Sequence, residues 1–130
     1  EAAKLIEVTQ QSFFEGIKMA KDGNHLHDIS NAIADYCESF GYGVVRDLVG
    51  HGIGKNLHED PQIPNFHQRR RGIKLQKGMT LAIEPMVNAG TYEVAWLDDD
   101  WTVVTTDKSP SAHYENTVVI TEDGVEILTL

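Results

Sequence analysis

The chain has 130 residues, 20 acidic against 11 basic side chains and a formal net charge of −9; that length suits one compact domain, and 41% hydrophobic with 24% charged residues argues against wholesale disorder. The acidic balance speaks against phosphate backbones and anionic lipid as partners, since both want clustered Lys and Arg, and the one basic cluster, Arg69-Arg70-Arg71, is too short to reverse it. A lone cysteine, Cys37, excludes an internal disulfide and fits a reducing compartment, and no apolar run approaches the roughly 20 residues of a membrane helix, so a soluble, intracellular domain is expected.

Residues 1 to about 21 carry apolar or small side chains at three- and four-residue steps (Leu5, Val8, Ser12, Phe13, Gly16, Ile17, Ala20), which predicts an amphipathic helix. Asp22-Gly23-Asn24 stops it. A second helix is predicted from about Asp28 to Phe40, capped by Asp28 or Ser30, with Ile29, Ala32, Ile33, Tyr36 and Cys37 on its apolar face and Gly41 at its end. The period then becomes strand-like. Val44-Val45 and the runs 79–83, 93–97, 101–106, 113–121 and 125–128 are short and rich in β-formers, and Asp98-Asp99-Asp100 and Glu122-Asp123-Gly124 lie between pairs of them as hairpin turns. Helices first and hairpin-linked strands afterwards predict an α+β domain with a mostly antiparallel sheet. The stretch 55–78 has no clear period, and loops that long in compact domains are often functional.

The densest chemical signal is the run from Gly50-His51-Gly52-Ile53-Gly54 to His58-Glu59-Asp60-Pro61. Its alternating glycines let the backbone crowd a ligand, but it is no phosphate loop: three residues separate Gly50 from Gly54, and Asn56 follows Lys55 where Ser or Thr is needed. A structural glycine turn with incidental histidines is the plainer alternative. In Ala82-Ile83-Glu84-Pro85-Met86, Thr80, Ala82 and Glu84 share one strand face, and Pro85 biases Glu84 towards extended backbone. A carboxylate ending an apolar run must be paired, exposed or metal-bound; the polar end of an ordinary strand satisfies the same sequence. In Ser111-Ala112-His113-Tyr114-Glu115-Asn116-Thr117, the β-branched residues that follow suggest a central strand carrying Glu115 inward, where a charge is costly unless neutralised, although a half-exposed strand glutamate fits equally. One imidazole and two strand-borne glutamates form a hard N/O set suited to Mn²⁺, Fe²⁺, Co²⁺ or Zn²⁺, without the thiolates of a structural zinc site. No nucleophilic triad or nucleophile-elbow serine is present, and Cys37 is expected as a small buried apolar side chain.

These motifs, in this order and spacing, resemble the methionine aminopeptidases of the bacterial type 1 class: Gly50-His51-Gly52-Ile53-Gly54 with His58-Glu59-Asp60-Pro61, Lys77-Gly78-Met79-Thr80 leading to Ile83-Glu84-Pro85-Met86, then Asp100-Trp101-Thr102-Val103, Tyr114-Glu115-Asn116-Thr117 and the ending Glu126-Ile127-Leu128-Thr129-Leu130. The resemblance covers essentially residues 1–130, as the C-terminal half of that family's catalytic domain. It implies the α+β pita-bread fold, a pseudo-twofold domain whose curved antiparallel sheet cradles two divalent metal ions (Co, Mn, Fe or Zn), and a cytoplasmic enzyme that removes the initiator methionine from nascent chains whose second residue is small. It implies that His51, Glu84 and Glu115 are metal ligands, Glu115 bridging both ions, with Glu84 also the proton shuttle. His58 is implied to hydrogen-bond the scissile amide, and Trp101 to wall the methionine pocket. Two further aspartate ligands and a histidine of the family lie upstream of its matching segment, so the chain, opening at Glu1-Ala2-Ala3-Lys4 in what reads as helix interior, is expected to begin inside a longer protein. Its implied partners are nascent N-termini and the missing N-terminal half, on the same polypeptide or a separate one. His113 is a candidate support for the ligands, a surface histidine being the alternative, and His25, His27 and His67 are expected at the surface or in loops. Arg69 to Arg71 are expected as a solvated turn, contact with an acidic surface such as the ribosome being the other reading. An Xaa-Pro-type peptidase of the same fold and a non-catalytic binding protein are the competing functions.

Overall fold

The structure, a computed structural model, describes residues 2–46, 50–52, 59–96, 103–105 and 109–129. Two helices come first, α1 (Ala2–Ile17) and α2 (Leu26–Glu38), followed by strands β1 (Gly43–Val44), β2 (Gly50–Gly52), β3 (Glu59–Ile63), β4 (Thr80–Ile83), β5 (Met86–Asn88), β6 (Val94–Trp96), β7 (Val103–Thr105), β8 (Ser111–His113), β9 (Asn116–Ile120) and β10 (Val125–Ile127). The strands form a five-stranded sheet in the order β10-β9-β4-β2-β3, a three-stranded sheet β1-β5-β8 and a two-stranded ribbon β6-β7. Every pairing among the described strands is antiparallel. The predicted helices-then-hairpins order is therefore the one observed, and Glu122-Asp123-Gly124 is the turn between β9 and β10. Asp98-Asp99-Asp100 lies outside the described residues.

Both helices differ from their predicted bounds for local physical reasons. α1 ends at Ile17, and the following turn tightens, with the amides of Met19 and Ala20 donating to the carbonyls of Gly16 and Ile17 (3.0 Å each), an i to i+3 pattern usual at helix ends. α2 begins at Leu26, two residues earlier than its sequence suggests, because a distant segment satisfies its first amides. The Leu26 N–H donates to the Ile73 carbonyl and the His27 N–H to the Arg71 carbonyl, both at 2.8 Å. The aperiodic loop after β3 is thereby bound along the start of α2, where the His27 imidazole also meets the Arg70 carbonyl (2.7 Å) and the Gln68 amide donates to Asn31 Oδ1 (2.8 Å). Arg71 thus ties the loop to α2 through its carbonyl and its guanidinium, although its side chain, like those of Arg69 and Arg70, is exposed. His25, not Asp28 or Ser30, takes the N-cap position of α2; Asp28 lies in the first turn and contributes to the cap from there, accepting from the His25 amide (2.9 Å) and pairing with Arg71 (3.0 Å).

The core lies between the helices and the two larger sheets. Leu5 and Phe13 of α1, Ile29, Ile33 and Cys37 of α2, and Leu81, Ile83, Val87, Val118 and Ile120 of the strands form one buried cluster. α1 crosses α2 where Gly16 has no side chain; a Cβ there would lie 2.6 Å from Ile33 Cγ1. α1 also packs against β5 and β8, and the Phe13 ring stands edge-on to Tyr114, centroids 5.3 Å apart, a favourable aromatic geometry. That contact ties the first helix to the residue preceding Glu115. Cys37 is fully buried, as its sequence context suggests, and burial pushes its thiol up to about 11.

Two outcomes follow from this packing. At pH 8 Cys37 resists iodoacetamide until denaturant is added, since thiolate and access are both denied; intact mass before and after unfolding reads this directly. Burial disfavours the Asp28 carboxylate, but the His25 amide and the Arg71 guanidinium outweigh it and hold the group below the usual carboxylate range. A depressed folded pKa means stability present above the unfolded value of roughly 3.9 and lost as pH falls through the folded value. Asp28→Asn is therefore expected to cost about 1 kcal/mol at pH 7, with the gap to the parent closing below about pH 4 in denaturant titrations.

Candidate metal centre

The strands that carry Glu84 and Glu115 are two long segments, each broken at one place. β4 and β5 are separated by Glu84-Pro85, and β9 and β8 by Tyr114-Glu115. Across both breaks the pairing keeps one register: Ile83 lies opposite Asn116 on one side and Met86 opposite His113 on the other. Two residues intervene on each segment, so Glu84 faces Glu115 and Pro85 faces Tyr114. The Tyr114 amide donating to the Pro85 carbonyl (3.1 Å) fits that alignment.

Two like charges directly opposite each other in an antiparallel pair repel. The protein relieves this with a proton. Partial burial pushes the Glu84 carboxyl up, and the hydrogen bond to Glu115 together with its charge pushes it further, to about 8. Two carboxyl groups sharing one proton is the state expected of such a pair when no cation neutralises it. His113 completes the group: one donor atom from each of Glu84, His113 and Glu115 lies within 4.8 Å of the others, Glu84 half-buried and the other two exposed. A carboxylate, imidazole and carboxylate set suits a divalent ion of the Mn to Zn series, so the residues present fit a metal.

The backbone at both glutamates is anchored. Asn65, fully buried in the loop after β3, donates from Nδ2 to the Glu84 carbonyl (3.0 Å), while its Oδ1 has no hydrogen-bond partner among the described residues. On the other segment Asn116 Nδ2 donates to the Tyr114 hydroxyl (2.9 Å), and Thr129 Oγ1 donates to Asn116 Oδ1 (2.8 Å). Tyr114 is further held by Phe13 and Phe14. Glu115 is therefore flanked on each side by a residue whose side chain is fixed.

Of the residues singled out in the sequence, the structure brings Glu84, Glu115 and the candidate support His113 together. The β2 backbone pairs His51 with Ala82, two residues before Glu84 on the neighbouring strand, and shifts register between His51 and Gly52, the kind of bulge found beside functional sites. His58 and Trp101 lie outside the described residues. Asn65 was not legible in the sequence. It sits in an aperiodic segment, and only its being a short polar side chain just after β-branched Ile63 and helix-breaking Pro64 distinguishes it.

Comparison with known proteins gives the chain a family. Residues 1–122 match the model of metallopeptidase family M24. The chain belongs to that family, and divalent metal use goes with both the family and the donor group described above. Among curated relatives, the methionine aminopeptidase of Clostridium acetobutylicum is 64% identical over 130 residues, covering 100% of this chain and 52% of the relative. A solved methionine aminopeptidase from Thermotoga maritima superposes with a TM-score of 0.94 at 52% identity, over 98% of this chain and 51% of that one. The X-Pro aminopeptidase of the same organism shares the fold at a TM-score of 0.69 and 22% identity, over 98% of this chain and 31% of that one. The expected α+β pita-bread class is thus the fold found. The chain spans about half the length of the curated relatives it matches.

Asn65 provides a test of how this pair of carboxylates is held. Asn65→Leu, close in volume, leaves the buried Glu84 carbonyl without its donor. It is expected to cost about 1–3 kcal/mol of stability and to weaken Co²⁺ binding about tenfold in calorimetric titration. A stability loss with unchanged Co²⁺ affinity would assign the bond to the fold alone.

Proposed function

We propose that this chain carries part of the active centre of a metal-dependent methionyl aminopeptidase, which removes the initiator methionine from nascent chains with a small second residue. The observation that carries the reading is the head-on alignment of Glu84 and Glu115 at coincident strand breaks, in a chain 64% identical to a methionine aminopeptidase. The alternative of an Xaa-Pro-type peptidase has only fold-level likeness behind it. Retention of both carboxylates with an imidazole beside them favours catalysis over a pure binding role.

In this reading His51, Glu84 and Glu115 would be the ligands of divalent metal, two ions of Co, Mn, Fe or Zn. Ions bound there lower the pKa of bound water and polarise the scissile carbonyl. The residues of the chain then position and move protons. Glu84 takes up the proton of the attacking water at a carboxylate oxygen and passes it to the departing amine. His58 donates a hydrogen bond to the scissile amide, and Trp101 walls the methionine side chain. The resemblance implies that the whole reaction draws on ligands beyond these three. This reading takes the N-termini of nascent polypeptides as the partners and the cytoplasm as the setting; no described helix is long and apolar enough to cross a membrane.

The test uses the protein at its full natural length. Methionine release from Met-Ala-Ser should exceed cleavage of an Ala-Pro peptide, disappear with chelator and return with Co²⁺ or Mn²⁺. Glu115→Ala should lower the rate more than about 100-fold, beyond the range of outer-shell substitutions. Equal turnover of the Ala-Pro peptide, or full activity in Glu115→Ala, would overturn the proposal.

A further inference from the structure

The metal-binding reading leaves one residue of the cluster without a task. His113 is the last residue of β8, paired with Met86 and two positions before Glu115. Because Glu84 faces Glu115 across the register, His113 is its diagonal neighbour, a separation that long side chains span. Its ring nitrogen lies within 4.8 Å of a carboxylate oxygen from both glutamates. The imidazole is exposed, and no hydrogen bond or ion pair with another described residue holds it. It is thus a donor beside two acceptors, committed to no other partner among the described residues.

Hydrogen-bond accounting gives it a use. Without a cation, the two carboxyl groups hydrogen-bond to one another. A cation between them ends that hydrogen bond and leaves each carboxylate with lone pairs directed away from the ion. Carboxylates that ligate metals are normally oriented by such outer hydrogen bonds, and losing one typically costs 10–100-fold in affinity. We propose that His113 is the positioning residue of this centre, its imidazole N–H donating to the Glu84–Glu115 carboxylate pair and fixing both in the orientation that binds the ion. A separation of no more than 4.8 Å closes to the roughly 2.9 Å of an N–H···O bond by rotamer adjustment of an exposed ring. Its neighbour Tyr114 is locked by Phe13 and Asn116, so the strand carrying the ring stays in place while the ring turns.

The inference rests on Glu84 and Glu115 binding metal, and the experiment separates the two claims. Co²⁺ is titrated into the full-length protein and its Glu115→Ala, His113→Ala and His113→Gln variants, with calorimetric affinity and the visible Co²⁺ absorption band as readouts. Melting temperatures of the metal-free proteins run in parallel. If Glu115→Ala binds Co²⁺ like the parent, the metal reading itself fails. If Glu115→Ala loses the ion, His113→Ala should weaken binding about tenfold with an unchanged metal-free melting temperature, and His113→Gln, which keeps an N–H donor, should recover to within about threefold with the parent absorption band. Parent-like affinity in His113→Ala overturns the role. Failure of His113→Gln to recover, or a shifted band in that variant, overturns it as well, because the imidazole would then be a ligand or a packing element. Should His113→Ala lower the metal-free melting temperature, the recovery by His113→Gln alone decides.

Discussion

Everything in this molecule that bears on chemistry depends on holding two carboxyl groups against each other. Like charges directly opposite in an antiparallel pair destabilise a sheet, and here the pair falls where neither segment is regular strand. Pro85 cannot donate a ladder hydrogen bond, so the sheet opens at that point, and the facing Tyr114-Glu115 step opens with it. The register nevertheless passes through the gap without a slip. The break frees the side chains from strict pleating while the continuous register keeps them opposed. A shared proton makes the pair tolerable, and a divalent cation fits the same charge deficit.

Such an arrangement needs a rigid surround, since a carboxylate free to swing away would relieve the repulsion by itself. The anchors come from all over the chain. α1 contributes Phe13 and Phe14 against Tyr114. The C-terminal segment contributes Thr129 to the Asn116 amide group, and the loop after β3 contributes Asn65 to the backbone of Glu84. That loop is itself fixed by the amides at the start of α2. Helix α2 is thus linked to the Glu84 carbonyl through a segment without regular structure, and the helix boundary and the site position share one cause. The buried Oδ1 of Asn65, lacking a partner among the described residues, marks this as a place where local satisfaction yields to geometry.

The legible part of the fold was the part written in local periodicity. The three- and four-residue spacing of Leu5, Val8, Phe13 and of Ile29, Ile33, Cys37 depends only on helix geometry, and both helices are where that spacing puts them. The β-rich runs at 79–83 and 125–128 likewise appear as β4 and β10. The run at 113–121 appears split, because its break is set by the partner strand rather than by its own residues. β2, β3 and β5 carry glycine, proline or too few residues to show a period, so they emerge only from pairing. The early start of α2 was illegible for the same reason: its first hydrogen-bond acceptors are more than forty positions away in the chain.

By itself the sequence determined the class of the protein, through residue types at fixed spacing: an acidic α+β chain with Glu84, Glu115 and a glycine-flanked His51, in the order of a metallopeptidase family. Motifs of that kind survive because chemistry needs particular atoms, and atoms are written in the sequence. Which carboxylate meets which is not written there. That Glu84 faces Glu115, that His113 lies beside both, and that Asn65 secures the backbone beneath are outcomes of strand register and loop docking. Those depend on contacts between segments 19 to 31 positions apart, whose free energies come from the whole packed domain rather than from any stretch of chain.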